Sequence, residues 1–150
     1  MKKESFIKMN LKNAQCRECG RTLKIDNFSI RYIHLDKTGV CKSCDWIRNH
    51  KDRINNTSEK YNITLVIELI YYIFETQNIN LMDFAHKYEI DIKQVIDISD
   101  ELRIGNKKLS IIVPCKCCGE DAIYTPHAFL LSTNHYCSHE CYYKDKTNTV

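Results

Sequence analysis

The chain has 150 residues, with nine cysteines, four glycines, two prolines and a formal net charge of +3. That length allows one ordinary domain or a string of small ones, and so little glycine and proline argues against long disordered tracts. No stretch approaches the roughly eighteen apolar residues of a membrane span. Residues Met1 to Asn10 lack the apolar core of a secretory signal. The expectation is a reducing compartment, the cytoplasm of a cell, where paired cysteines signal metal rather than disulfide bridges.

Eight of the nine cysteines form two tetrads, Cys16-x2-Cys19 with Cys41-x2-Cys44 and Cys115-x2-Cys118 with Cys137-x3-Cys141. Thiolates two or three residues apart close a chelate ring on one ion, and two such pairs complete the tetrahedral sulfur shell that zinc prefers. Two zinc ions are therefore expected. At the second tetrad Cys117 permits a shifted ligand choice, and His127, His135 or His139 can replace a thiolate. Charge is unevenly spread, with +7 over residues 1–60, −5 over 61–105 and +1 over 106–150. A zinc with four thiolates adds −2, so the first stretch stays basic at +5, which suits phosphate contact as well as a solvated surface.

In the first stretch, Gly20 follows the knuckle where positive φ is needed. Leu23, Ile25 and Phe28 supply an apolar plug beneath the metal, and Asp36 to Gly39 reads as a turn. After Cys44, residues 45–54 are expected to form one helix, with Trp46, Ile47 and Ile54 inward and Arg48, Lys51 and Arg53 outward. Arg31 and Lys42 join these as candidate DNA contacts. The run from Cys16 to Lys51, with its CxxCG, later Phe, CKxC and basic helix, resembles the zinc-binding segment of phage HNH and endonuclease VII-like proteins. That resemblance covers about forty residues and implies a treble-clef-like finger that acts on DNA. The family's Asp-His pair is missing here. His34 and Asp36 are only approximate substitutes, and Asp45 stands where Asn follows the second knuckle, so a non-catalytic module is expected.

In the middle stretch, Leu65, Leu69, Ile70, Ile73 and Phe74 recur at helical spacing. A second helix is expected from Leu81 to Tyr88 with Asn80 as N-cap. Asp91 caps a third, with Gln94 placed for a capping box and Gly105 as its stop. Residues 81–102 resemble a helix-turn-helix, with Ala85 at the crossing and Val95 anchoring the reading helix, although Glu89 replaces the usual turn glycine. Lys93 and Gln94 are the candidate base contacts. The acidic residues behind them fit a packing or dimerisation unit equally well.

In the last stretch, residues 107–113 read as a strand into the knuckle at Cys115, with Gly119 matching Gly20. Residues 122–124 form the returning strand, and Thr125-Pro126 opens a short helix. The ending Tyr136-Cys137-Ser138-His139-Glu140-Cys141 resembles a finger that recurs in phage HNH homing endonucleases, where it contacts DNA or acts as a spacer.

The expected architecture is thus small α+β zinc-finger modules, treble-clef or zinc-ribbon-like, at 1–60 and 106–150, flanking an all-α three-helix domain at 61–105. The expected function is a zinc-dependent DNA-binding protein of a phage or mobile element, working in the bacterial cytoplasm and related to the DNA-targeting part of HNH endonucleases. The alternatives are a regulator that binds a host protein through its acidic helices, and a metal-dependent HNH-like nuclease.

Overall fold

The computed structural model describes residues 13–28, 39–105 and 107–148. Arg31, His34 and Asp36 lie outside them. The chain divides into two compact units, 1–75 and 76–150.

The first unit opens with an antiparallel hairpin of β1 (Asn13–Gln15) and β2 (Thr22–Lys24), in which Ala14 faces Leu23. A single 3-10 turn at Ile25–Asn27 leads to Phe28, which bridges Cys41. Three helices follow, α1 (Lys42–Asn49), α2 (Lys51–Ser58) and α3 (Ile63–Glu75). The single helix expected over 45–54 is therefore two. The break is at His50, whose Nδ1 donates to the Trp46 carbonyl at 2.8 Å and whose ring stacks on Trp46 at 4.2 Å. That carbonyl would take an ordinary helical amide bond from His50. The amide turns instead to Ile47, and the backbone swings to φ −131°.

Asn62 starts α3 by accepting the amides of Thr64 and Leu65. The helix buries Val66, Leu69, Ile70 and Ile73 and packs on α1 and α2. Its Phe74 lies 6.3 Å from Trp46. This corrects the expected three-helix domain, because α3 belongs to the first unit. A four-cysteine knuckle buries too little apolar surface to stand alone, and α3 supplies the missing cover.

The second unit contains α4 (Leu81–Lys87), α5 (Ile92–Leu102), α6 (Pro126–Leu131) and α7 (His139–Asn148). Between α5 and α6 lies a second antiparallel hairpin, β3 (Ile111–Pro114) with β4 (Asp121–Tyr124), in which Ile111 faces Tyr124. Asn80 caps α4 by accepting from Met82, and its side-chain oxygen also accepts the Ile112 amide at 2.9 Å. One residue thus ends a loop and pins α4 to β3. Leu81, Phe84, Ala85, Val95, Ile96, Ile98, Leu102 and Ile111 are all buried.

Asp91 caps α5 by accepting the Lys93 amide. The helix ends at Arg103, in the left-handed region at φ 48°, two residues before the glycine expected to stop it. The tight turn between α4 and α5 keeps glycine-like geometry without glycine: Glu89 sits at φ 54°, and the Ile90 amide returns to the Ala85 carbonyl at 3.0 Å.

Candidate metal centres

Each cysteine tetrad converges on a point. In each, the four Sγ atoms of Cys16, Cys19, Cys41 and Cys44, or of Cys115, Cys118, Cys137 and Cys141, lie within 4.8 Å of one another. A tetrahedral sulfur shell with metal–sulfur bonds of about 2.3 Å has edges of about 3.8 Å. In the second cluster Cys118 and Cys141 stand 3.5 Å and 3.6 Å from Cys137, so the donors already hold the spacing of a closed shell. Each group can hold a metal ion, which is the arrangement the spacing of the cysteines predicted. Cys117 and the histidines stand outside the described ligand groups.

The two clusters are built alike at the backbone. Cys16 and Cys115 each end a strand segment and donate their amides forward, to Arg21 at 2.8 Å and Glu120 at 2.7 Å. Gly20 and Gly119, at φ 74° and 80°, each return an amide to that same cysteine's carbonyl at 2.9 Å. A side chain at so positive a φ is strained, which explains why glycine stands at both positions. The second pair of each cluster lies at a helix start: Cys41 precedes α1 and Cys141 lies in the opening turn of α7. Helix N-termini favour the thiolate form, because their unpaired amides and dipole face the sulfur.

Electrostatics within each cluster anticipate a cation. Burial opposes ionisation of Cys16, but amides from Cys19, Cys41 and Glu18 outweigh it and bring its thiol down to about 6. Cys41 is pushed up to about 11 by burial and by its neighbour Cys16, and Cys44 higher still, by burial and then by Cys41. Cys115 repeats Cys16: desolvation works against it, and the amides of Cys118, Cys137 and Cys117 lower it to about 6. Cys137 is pushed up to about 12 by its sulfur neighbours Cys118 and Cys141. Cys16 and Cys115 thus ionise readily while Cys41, Cys44 and Cys137 resist, since thiolates cannot crowd into so small a volume without a cation among them.

The surroundings of the clusters differ. The first is packed into an apolar core of Phe28 and Val40, with Leu23, Ile25 and Tyr71 against it. Arg21 adds a counter-charge, donating from Nε to the Cys19 sulfur at 3.4 Å, pairing with Glu75 at 2.7 Å and lying 3.7 Å over the Tyr71 ring. Burial works against the guanidinium's charge, but the bonds to Cys19 and Glu75 hold it on. Sequence reasoning found the plug residues but missed Arg21, Tyr71 and Glu75, which come together only through α3. The second cluster is more open: Cys115 is buried, whereas Cys118 and Cys137 are exposed.

The expected DNA contacts are scattered in character. Lys42 and Lys51 are exposed and make no ion pair among the described residues. Arg48 is paired with Glu18. Arg53 is half-buried on α2. On α5, Lys93 is held by Asp97 at 3.1 Å, and Gln94 is half-buried beside it. Arg31, like His34 and Asp36, falls outside the described residues.

The fold and the two clusters define a small α+β protein with two four-thiol groups, each able to hold a metal ion. No protein-family model, curated protein or solved structure matches the chain. No helix among the described residues is long and apolar enough to cross a membrane.

Proposed function

We propose that this chain is a zinc-dependent DNA-binding protein of a phage or mobile element, built like the DNA-targeting part of HNH endonucleases and lacking their nuclease centre. Zinc is the ion of choice because four soft thiolates in a closed shell suit it, and a full shell leaves no open position for catalysis. Its chemistry here is structural: it neutralises the packed thiolates and fixes the knuckles. Each module then takes the treble-clef plan of knuckle, hairpin and helix, while α4 and α5 form a helix-turn-helix-like pair.

The observation that carries this reading is the basic character of the first module. With α3 included, the unit over residues 1–75 still keeps +3 with its ion bound, and Lys42 and Lys51 stand exposed beside the knuckle helix. Unpaired lysines on a compact scaffold supply phosphate contacts and counterion release. The test is a salt titration of duplex DNA binding on protein of known metal content. Affinity should fall steeply with salt, and Lys42→Gln and Lys51→Gln should each flatten the slope by about one. Unchanged slopes would remove this surface from the DNA interface.

A second reading is supported by α4 and α5. Asp83, Glu89, Asp91 and Asp100 are exposed there, and Lys93 is already engaged by Asp97. Such a face repels phosphate and suits a basic patch on a host protein in the bacterial cytoplasm. A pull-down that yields a stoichiometric protein partner, with no DNA affinity, favours it. The nuclease alternative rests on His34 and Asp36 and requires plasmid cleavage in Mg2+ that His34→Ala abolishes.

A further inference from the structure

The second module carries an open cleft of about 580 Å³ beside its metal cluster, lined by Tyr136, Tyr142, Lys146, Asn134, Thr133 and Leu131 among others. Its size falls within the roughly 300–1,000 Å³ of small-ligand sites. The Tyr136 wall is held from behind. The Tyr124 hydroxyl accepts the Tyr136 amide at 2.8 Å and donates to the Tyr136 carbonyl at 3.0 Å, while the Tyr136 hydroxyl donates to Asp145 at 2.6 Å. Tyr136 and Tyr142 meet edge to face at 5.5 Å. Tyr142 itself is 40 % exposed, Leu131 at the rim is 89 % exposed, and the Lys146 ammonium stands 5.7 Å from the Tyr142 ring centre.

We propose that this cleft takes an unpaired nucleobase of single-stranded DNA, stacked on Tyr142, a proposal that rests on the nucleic-acid function proposed above. A flat apolar ring bounded by amide and hydroxyl groups matches a base, which needs one π surface and a polar edge partner. Asn134 and Thr133 offer that edge. Phosphate is not what the cleft selects: the adjoining cluster with its ion carries a net −2, which the single cation of Lys146 only partly offsets. Recognition therefore comes from the ring face, as in stacking platforms for single strands. Tyr136, fixed through Tyr124 and Asp145, meets the Tyr142 ring edge to face and limits its freedom before the ligand arrives, which lowers the entropy cost of binding.

The experiment is fluorescence anisotropy on the zinc-loaded full chain, with labelled oligothymidine, an abasic strand of equal length, oligouridine and a duplex. Oligothymidine should bind about tenfold more tightly than the abasic strand. Tyr142→Ala should abolish that difference and Tyr142→Phe keep it, both with two zinc ions per chain and unchanged duplex affinity. Should Tyr142→Ala lose zinc, Tyr142→Ile fills similar space without a π face and serves the same comparison. Equal affinity for the oligothymidine and abasic strands, or a difference that survives loss of the ring, overturns the proposal. An equal preference for oligouridine supports the base as ligand and extends the site to RNA. Normal duplex binding without base preference sinks this proposal alone, whereas no binding to any nucleic acid sinks it together with the proposed function.

Discussion

The guanidinium of Arg21 sits between two acceptors from distant parts of the first unit, the Cys19 sulfur at 3.4 Å and the Glu75 carboxylate at 2.7 Å. Cys19 belongs to the metal cluster and Glu75 is the last residue of α3, so this side chain ties the helix to the metal centre. The Tyr71 ring beneath the guanidinium closes the arrangement. Glu75 is largely shielded, at 16 % side-chain exposure, and Arg21 less so at 35 %.

Breaking this link should loosen α3. Arg21→Met and Glu75→Gln are each expected to cost on the order of 1 kcal/mol, after discounting for the exposure of Arg21. The double variant should cost less than the sum, because the same pair is lost in each. Urea unfolding of the four proteins in zinc buffer measures this. An additive double variant would show that Arg21 and Glu75 act independently.

The clusters should surrender their ions in order. Cys16 and Cys41 are each 1 % exposed, whereas Cys118 and Cys137 of the second cluster are open to solvent. A chelator is therefore expected to strip the second ion quickly and the first slowly, in two resolved phases. Colorimetric release in excess chelator follows both, and Cys115→Ser should delete the fast phase alone. Loss of the first ion should unfold the unit around it, since metal binding and folding are coupled in such modules.

Glu89 occupies a left-handed conformation at φ 54° on the exposed turn between α4 and α5. Glycine adopts that conformation without steric cost, though it loses more chain entropy on folding. The balance favours Glu89→Gly by roughly 0.5–1 kcal/mol, and Glu89→Val should destabilise by more. Thermal melts give the sign directly. A destabilised glycine variant would mean that the Glu89 side chain makes a contribution larger than the strain.

The pairing of Arg48 with Glu18 withholds a cation from the basic module. Exposed pairs contribute little to stability, about 0–1 kcal/mol, so Glu18→Gln should leave the fold intact. It frees Arg48 and is expected to tighten duplex binding a few-fold and steepen the salt slope by about one. Unchanged binding would place Arg48 away from the DNA.

Much of the site was legible in the sequence because its determinants are local. Chelate spacing brings Cys16 near Cys19 and Cys115 near Cys118 whatever the rest of the chain does. The same holds for Gly20, Gly119 and the capping bonds of Asn80, Asp91 and Thr125, each of which closes within a turn of its own position. Errors came where a local pattern had two outcomes. Apolar spacing pointed to a helix from Leu65 to Gln77, close to the observed Ile63–Glu75, but not to the partner its face would cover. Likewise the pattern of 45–54 fits one helix or two, and the Trp46–His50 stack decides for two.

The amino-acid order alone determined the close-spaced cysteine pairs, the knuckle glycines and the caps Asn80 and Asp91, since these rest on contacts a few bonds long. Only tertiary structure decided that α3 joins the first module, that Arg21 reaches Glu75 across 54 residues, and that Arg48 and Lys93 are already held by carboxylates. Those outcomes depend on which surfaces meet once apolar area is buried, and burial chooses partners by shape and distance rather than by spacing along the chain.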